Sequence, residues 1–310
     1  MAIFSKLKSW GITIYSQEKL DIPNIDKSKV IYHIPLANYW GMNPVFVNAD
    51  PFLFVWNDKL FLFYERQRYT SVGEIYMVST IDLKTWTKPR LVLKERCHLS
   101  FPFVFEDNGI VYMMPESSGL HQIRLYRASN PDLTEFEYVK SLEKLNYSAN
   151  DGGVHFVDSC ILKKNNIYYL FTSIKDIDGN YTCQLYLSEN LLGEYKEHPC
   201  SPINVGKSFG RNGGCILSFE DSLLRVAQNC ENDYGDNLSL VQINVITPTE
   251  YSENVVQDNF INRSNPRYKE GGHHLNIVQY KGKYIISSDY KSYRRYFRHL
   301  RYDIYRCLKI

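Results

Sequence analysis

Asn48–Glu65 reads NADPFLFVWNDKLFLFYE. Two apolar runs, PFLFVW and LFLFYE, flank the polar turn Asn57-Asp58-Lys59, which is the pattern of a β-hairpin. Asp50 stands against Pro51 at the mouth of the first run. A carboxylate there is either a turn residue or a working group. Working outward, GEIYMVSTID reads as a third strand, and LKTWTKPRLVL as a turn followed by a fourth, outer strand.

The cassette recurs. SFPFVFEDNGIVYMMPE (Ser100 to Glu116) turns at Asp107-Asn108-Gly109, and HQIRLYRAS follows. HFVDSCILKKNNIYYLFTS (His155 to Ser173) turns at Asn165-Asn166, with CQLYLSEN after it. NGGCILSFEDSLLRVAQ (Asn212 to Gln228) turns at Glu220-Asp221, before NLSLVQINVI. HHLNIVQYKGKYIISSD (His273 to Asp289) turns at Lys281-Gly282. The turns fall roughly 50 to 60 residues apart, a propeller-type period. Five cassettes predict an all-β chain folded as a five-bladed β-propeller over residues 29–290, flanked by amphipathic segments 1–28 and 291–310. A β-sandwich pair fits a recurring cassette less well. The fifth cassette lacks an outer strand, and KVIYHI (Lys29 to Ile34) is expected to supply it and close the ring.

Composition agrees. Of 310 residues, 44% are hydrophobic and 15% aromatic, enough for a large β core and suited to sugar-binding surfaces. A net charge of +2 gives no field that calls for nucleic acid. The seven cysteines form no CxxC pair, and free thiols in a reducing compartment are expected. The N-terminus lacks the marks of a secretion signal and no run reaches transmembrane length, so a cytoplasmic location is expected.

In a propeller the entrances of the innermost strands converge. Those positions hold Asp50, His98 with Ser100, His155 with Asp158, Arg211 with Asn212, and His273 with His274. Each alone is explained as well by a turn or cap. As a set at equivalent repeat positions they point to a site, because turn positions are more often Gly, Ser or Asn.

These residues carry a resemblance. ADP, an apolar strand, a turn and LFLFY resemble the first blade of the furanosidase-type propellers, which include arabinanases and β-xylosidases. That resemblance implies a catalytic base at Asp50 and an orienting aspartate at Asp158. Those hydrolases carry a general-acid Glu where this chain has Arg211-Asn212-Gly213-Gly214. A closer resemblance covers about Asn48 to Asp289. ADPFLF, HLSFPFVFEDNGIVYMMPES, RNGG with LLRVAQN, and GGHHLN resemble the N-terminal propeller domain of glucosamine inositolphosphorylceramide transferases. Related bacterial domains occur beside formyltransferase domains. The resemblance implies work on sugars or glycoconjugates.

A donor with a phosphate leaving group needs positive charge rather than a carboxylic acid. Arg211, with Arg225 and Lys207 near it in sequence, is the expected source, and Asp50 the base for an acceptor hydroxyl. Glu65 and Glu116 end second strands, where hydrogen bonding to sugar hydroxyls and interblade pairing are equally open. Gln228 shares a strand with Arg225, and His273 and His274 cannot both face the channel on a regular strand. His98, His155 and His273 lack short metal-ligand spacing, so neither a metal nor another cofactor is expected.

The tail from Lys291 places Tyr293, Phe297, Leu300, Ile304 and Leu308 at helical spacing among arginines. It is expected to form a basic helix that either lies on an anionic membrane at its inner face or packs under the propeller. The expected function is glycosyl transfer in bacterial-type surface-glycan assembly. The unit moved is a sugar, with a furanosyl or phosphoribosyl unit as one candidate suggested by the related scaffold, from a phosphate-activated donor to a glycan or lipid-linked glycan acceptor. The alternatives are a glycoside hydrolase with Glu116 as acid and a noncatalytic glycan-binding propeller.

Overall fold

A computed structural model describes residues 4–36, 45–68, 71–142, 155–176, 179–219 and 222–297. Its five antiparallel sheets form the five blades of a β-propeller. Blade I holds β3 (Val45–Trp56), β4 (Lys59–Arg68), β5 (Gly73–Thr80) and β6 (Arg90–Leu93) in that order. Blade II repeats this with β7 (Ser100–Asp107), β8 (Ile110–Glu116), β9 (Arg124–Ala128) and β10 (Phe136–Ser141). Blade III runs β11 (His155–Lys164), β12 (Ile167–Lys175) and β13 (Tyr181–Ser188), whose outer edge pairs with two short strands, β14 (Lys196–Glu197) and β15 (Asn204–Val205). Blade IV is β16 (Arg211–Phe219), β17 (Ser222–Asn229), β18 (Asn237–Ile246) and β19 (Tyr251–Gln257).

Blade V joins the two ends of the chain. β20 (Leu275–Tyr280) and β21 (Lys283–Phe297) pair with β1 (Phe4–Gln17), and β2 (Lys29–Ile34) forms the outer edge. KVIYHI is therefore the outer strand, as its sequence suggests. The flanking segments differ from expectation. Residues 4–17 belong to the propeller, and β21 continues as strand through Phe297 where a helix from Lys291 is expected. The physical reason is the partner: β1 and β21 pair continuously from Phe4↔Phe297 to Gln17↔Tyr284, and that ladder overrides the helical spacing. The remainder of the basic tail lies outside the described residues. Among the described residues no helix is long and apolar enough to cross a membrane.

The unbroken apolar run LFLFY follows from burial on both faces of a blade. In β4, Phe61 and Phe63 pack with Met113 and Tyr126 of blade II. The alternate residues Leu60, Leu62 and Tyr64 pack with Ile12, Ile14 and Ile285 of blade V. Period-2 alternation sends each set to a different neighbour, so neither face is polar. The hairpin tips carry pairs of residues at positive φ: Asn57-Asp58, Asn108-Gly109, Asn165-Asn166 and Lys281-Gly282. Such pairs match the twist of two-residue hairpins. The fourth tip, Glu220-Asp221, lies outside the described residues.

A second irregularity sets the site. Three inner strands bulge at the same place, between Ala49 and Phe52, Ser100 and Phe103, and Val157 and Cys160. Asp50, Phe101 and Asp158 occupy these bulges at φ 52°, 44° and 51°. Blade IV also shifts register, between Asn212 and Ile216, where Gly214 has φ 156°. A Cβ on Gly214 would lie 2.1 Å from Leu275 O, so only glycine lets blades IV and V meet there.

Because β1 closes the ring with Ile12 and Ile14 fully buried, Ile14→Ala should cost about 2–5 kcal/mol. Urea unfolding followed by circular dichroism measures this. A loss near zero would show that the terminal strand does not hold the propeller closed.

Candidate active site

The bulges answer why an apolar strand opens with an aspartate. An extra left-handed residue redirects the side chain, so Asp50 and Asp158 leave the strand alternation and enter a common buried network. Asp50 Oδ2 accepts a hydrogen bond from Phe101 N at 3.0 Å, and Asp50 N donates to Asp289 Oδ2 at 3.2 Å. Burial, reinforced by Glu65, Asp289 and Asp158 against the opposing pull of His273, raises the Asp50 pKa well above the usual carboxylate range.

Asp158 accepts charge-assisted hydrogen bonds from Arg211 Nε and, at 3.1 Å, from Gln228 Nε2. Arg211 also donates to Tyr181 Oη at 2.9 Å, and its guanidinium lies 5.0 Å and 4.8 Å from the Tyr181 and Tyr234 ring centres. Its Nη2 is 3.9 Å from Glu116 Oε2. Asn212 is fully buried and supports Asp158 through Nδ2, which donates to Asp158 O at 2.9 Å. Glu116 accepts from Ser118 Oγ at 2.9 Å. Burial, with Asp158 adding repulsion, lifts the Glu116 carboxyl to about 7, although Arg211 and Ser118 pull the other way.

On the blade I side, Glu65 Oε1 lies 3.2 Å from His98 Nε2. Gly73 N donates to His98 Nδ1 at 3.0 Å, so the proton in this geometry is on Nε2, facing Glu65. On the blade V side, His273 Nδ1 is 2.6 Å from Asp289 Oδ2, and Nε2 is 3.8 Å from Asp50 Oδ1. Trp10 stacks on the His273 ring at 3.9 Å.

Asp50, Asp158, Glu116, Glu65, His98, Arg211, Gln228 and His273 thus belong to one chain of contacts and electrostatic couplings. Others stand elsewhere. His155 is exposed at the rim, with its ring 4.8 Å from that of His121. Arg225 is wholly buried and pairs with Glu253, donating from Nε at 2.9 Å, so its charge is used between strands. Lys207 is exposed. His274 packs edge-on to Phe52 and Phe101, and burial lowers its pKa to about 3. His274 occupies the repeat position of Asp50 but lacks positive φ. Strand alternation is therefore kept in blade V, and the preceding residue, His273, faces the site instead.

Sequence reasoning missed Asp289, Tyr181, Tyr234 and Trp10. Asp289 did carry a signal. It lies eight residues past the first residue of its two-residue hairpin tip, the offset that also gives Glu65, Glu116, Ser173 and Gln228. The tyrosines and Trp10 come from outer or terminal strands and loops, which the period does not align. Asp50, His273 and Asp289 present ligand-type atoms within 4.8 Å of one another. Asp289, however, already accepts from three backbone N–H groups and meets His273 Nδ1, leaving Asp50 Oδ1 and His273 Nε2 as the less committed atoms.

The chain is thus a five-bladed β-propeller whose bulged inner strands bring carboxylates together around a buried arginine. Among solved structures it is similar to a family 117 glycoside hydrolase of Zobellia galactanivorans, with TM-score 0.55, 12% identity, and coverage of 85% of this chain and 92% of that one. It is also similar to a thermostable family-43 glycoside hydrolase, with TM-score 0.52, 15% identity, and coverage of 72% and 78%. At these identities the likeness is one of fold. The particular family follows from sequence: the family model described as glucosamine inositolphosphorylceramide transferase 1, N-terminal, matches residues 34–290, and the chain belongs to that family. The chain is 40% identical over 212 residues to glucosamine inositolphosphorylceramide transferase 1 of Arabidopsis thaliana, covering 66% of this chain and 26% of that protein. Identity to the protein of that name from Oryza sativa subsp. japonica is 36%, covering 66% and 27%. The chain thus spans about a quarter of the length of the curated relatives it matches.

The raised Glu116 pKa makes a prediction with a definite sign. Folded Glu116 keeps its proton to about pH 7, whereas its ordinary value is 4.5, so the folded state binds more protons between these limits. Its contribution to stability therefore falls as pH rises from about 4.5 to 7. Urea unfolding across this range should show a shallower decline for Glu116→Gln than for the unmodified chain. Equal slopes would place the Glu116 pKa near its ordinary value.

Proposed function

We propose that this site transfers a glycosyl unit from one glycan oxygen to an acceptor hydroxyl, by acid–base chemistry in which Glu116 is the acid. The observation that carries this reading is Glu116, a mostly buried carboxyl 3.9 Å from Arg211 and hydrogen-bonded to Ser118, whose pKa burial and the Asp158 charge raise to about 7. A poor sugar leaving group needs a proton as its bond breaks, and a carboxyl held protonated near neutrality supplies one. Glu116 stands in this role where furanosidase-type propellers carry a blade IV acid. Asp50 faces the acceptor side, and Asp158 with Arg211 fixes the wall between them.

The phosphate-activated donor expected from sequence finds less support. Arg211 is matched by Asp158 and flanked by Glu116, and Arg225 is spent on Glu253. A pocket with Asp50, Glu65, Glu116, Asp158 and Asp289 around one guanidinium suits a neutral sugar better than a phosphate dianion. The relatives' name brings in glucosamine and inositolphosphorylceramide, and we take the sugar headgroup of a glycolipid as the substrate class. A furanosyl or phosphoribosyl unit has no separate support.

The test is turnover of glycolipid headgroup oligosaccharides and aryl glycosides, alone and with acceptor sugars, beside sugar nucleotides and sugar phosphates. We expect acceptor-dependent transfer from glycosidic donors. Glu116→Gln and Asp50→Asn should each lower it by about 10²–10⁴-fold. Glu116→Gln should lose least on donors with good aryl leaving groups, which need no proton. Turnover of sugar phosphates alone would contradict the reading, and release of free sugar without transfer would replace it with hydrolysis.

A further inference from the structure

Asp289 shares the site with the carboxylates above yet differs from them in exposure and use. It is fully buried. Its Oδ1 accepts from His273 N at 2.9 Å and His274 N at 3.1 Å, while Oδ2 accepts from Asp50 N at 3.2 Å. Oδ2 also lies 2.6 Å from His273 Nδ1, an ion contact that is not aligned as a hydrogen bond. Two bare lone pairs do not approach so closely, so Nδ1 carries a proton and His273, when neutral, leaves Nε2 bare. Trp10 stacks on one face of the ring with an interplanar angle of 12°, and Tyr234 meets it edge-on at 5.0 Å. The imidazole is thus held with Nδ1 beside Asp289 and fixed in plane by two aromatic rings.

Nε2 then faces Asp50 Oδ1 across 3.8 Å. That separation is too long for a direct hydrogen bond and suits one oxygen atom lying beside the line between them, within hydrogen-bond reach of both. We propose that an acceptor hydroxyl occupies this gap and that His273, oriented by Asp289, is the group that takes its proton. This inference rests on the glycosyl-transfer reading above and assigns the acceptor side of that same site.

The step balances. The acceptor O–H bond breaks, and its proton forms an N–H bond at His273 Nε2. The freed oxygen pair forms the new bond to the anomeric carbon as the old glycosidic C–O bond breaks. The departing oxygen takes the proton of Glu116, and solvent returns one proton from His273 to Glu116. Asp289 stabilises the imidazolium, and Asp50 Oδ1 holds the acceptor oxygen from the side opposite Nε2. His273 touches the reacting hydroxyl and is a catalytic residue, whereas Asp289 acts through His273 and is a positioning residue. The groups around the ring are Asp289, Asp50, Arg211, Tyr234, Trp10 and His274. Asp289 and Asp50 favour the imidazolium, while burial and Arg211 oppose it.

Two experiments on the full chain separate this inference from the reading beneath it. Histidine-ring ¹⁵N–¹H NMR needs no substrate. It should show His273, assigned with His273→Gln, in the Nδ1–H form when neutral, and Asp289→Asn should lower its pKa. An Nε2–H form, or a His273 pKa unmoved in Asp289→Asn, would overturn the inference even if transfer occurs. In the transfer assay, His273→Gln should lose about 10²–10⁴-fold, and imidazole added to His273→Gly should restore part of the rate. Asp289→Asn should move the rising limb of the pH–rate profile to lower pH. Full activity of folded His273→Gln would also overturn it. Absence of any transfer by the unmodified chain would instead sink the proposed function, with the NMR result still judging the ring geometry.

Discussion

The site is organised by the ion pair of Arg211 with Asp158. Both side chains are nearly out of water, which makes each costly alone and strongly attractive together. The guanidinium is held between the Tyr181 and Tyr234 rings, and Gln228 takes part of the remaining hydrogen-bonding capacity of Asp158. This arrangement joins blades III and IV and fixes the electrostatic setting of Glu116. With Arg211 satisfied by Asp158, the next carboxylate is left to cope with burial, and its proton becomes harder to remove.

The closure of the ring supports the opposite wall. Lys291 is buried and donates to Asp233 Oδ2 at 2.9 Å and to Tyr234 O at 2.7 Å. Lys8 and Tyr293 also donate to Asp233. Residues of β1 and β21 therefore anchor the loop that places Tyr234 against both Arg211 and His273. The first cation of the basic tail is an interior anchor rather than a solvated charge. Trp10, from the N-terminal strand, completes the same wall by stacking on His273. The strands that close the propeller also position residues of the site.

Much of this was legible in the repeat. The paired turn residues, the two-sided apolar strands and the inner-strand aspartates recur at a fixed offset, so blade number and the grouping of Asp50 with Asp158 follow from spacing. Limits came where one blade departs from the rest. Blade V keeps regular alternation where blades I and III bulge, which turns His273 rather than His274 toward the site. Arg225 looked like a pocket cation because strand position alone does not reveal Glu253, which arrives from the next-but-one strand. Trp10 and Lys291 were hidden because pairing between the chain ends has no local signature. The helical spacing of the tail was real, but a long-range ladder outweighed it through Phe297.

In the proposed reaction a neutral sugar lies with its glycosidic oxygen at Glu116 and an acceptor hydroxyl between Asp50 and His273. A crystal structure of the Glu116→Gln protein with a glycolipid-headgroup oligosaccharide tests this most directly. The account predicts the scissile oxygen within hydrogen-bond distance of residue 116 and an acceptor hydroxyl reaching both Asp50 Oδ1 and His273 Nε2. A sugar bound outside this network, or a phosphate group seated on Arg211 with the Asp158 pair broken, would contradict it.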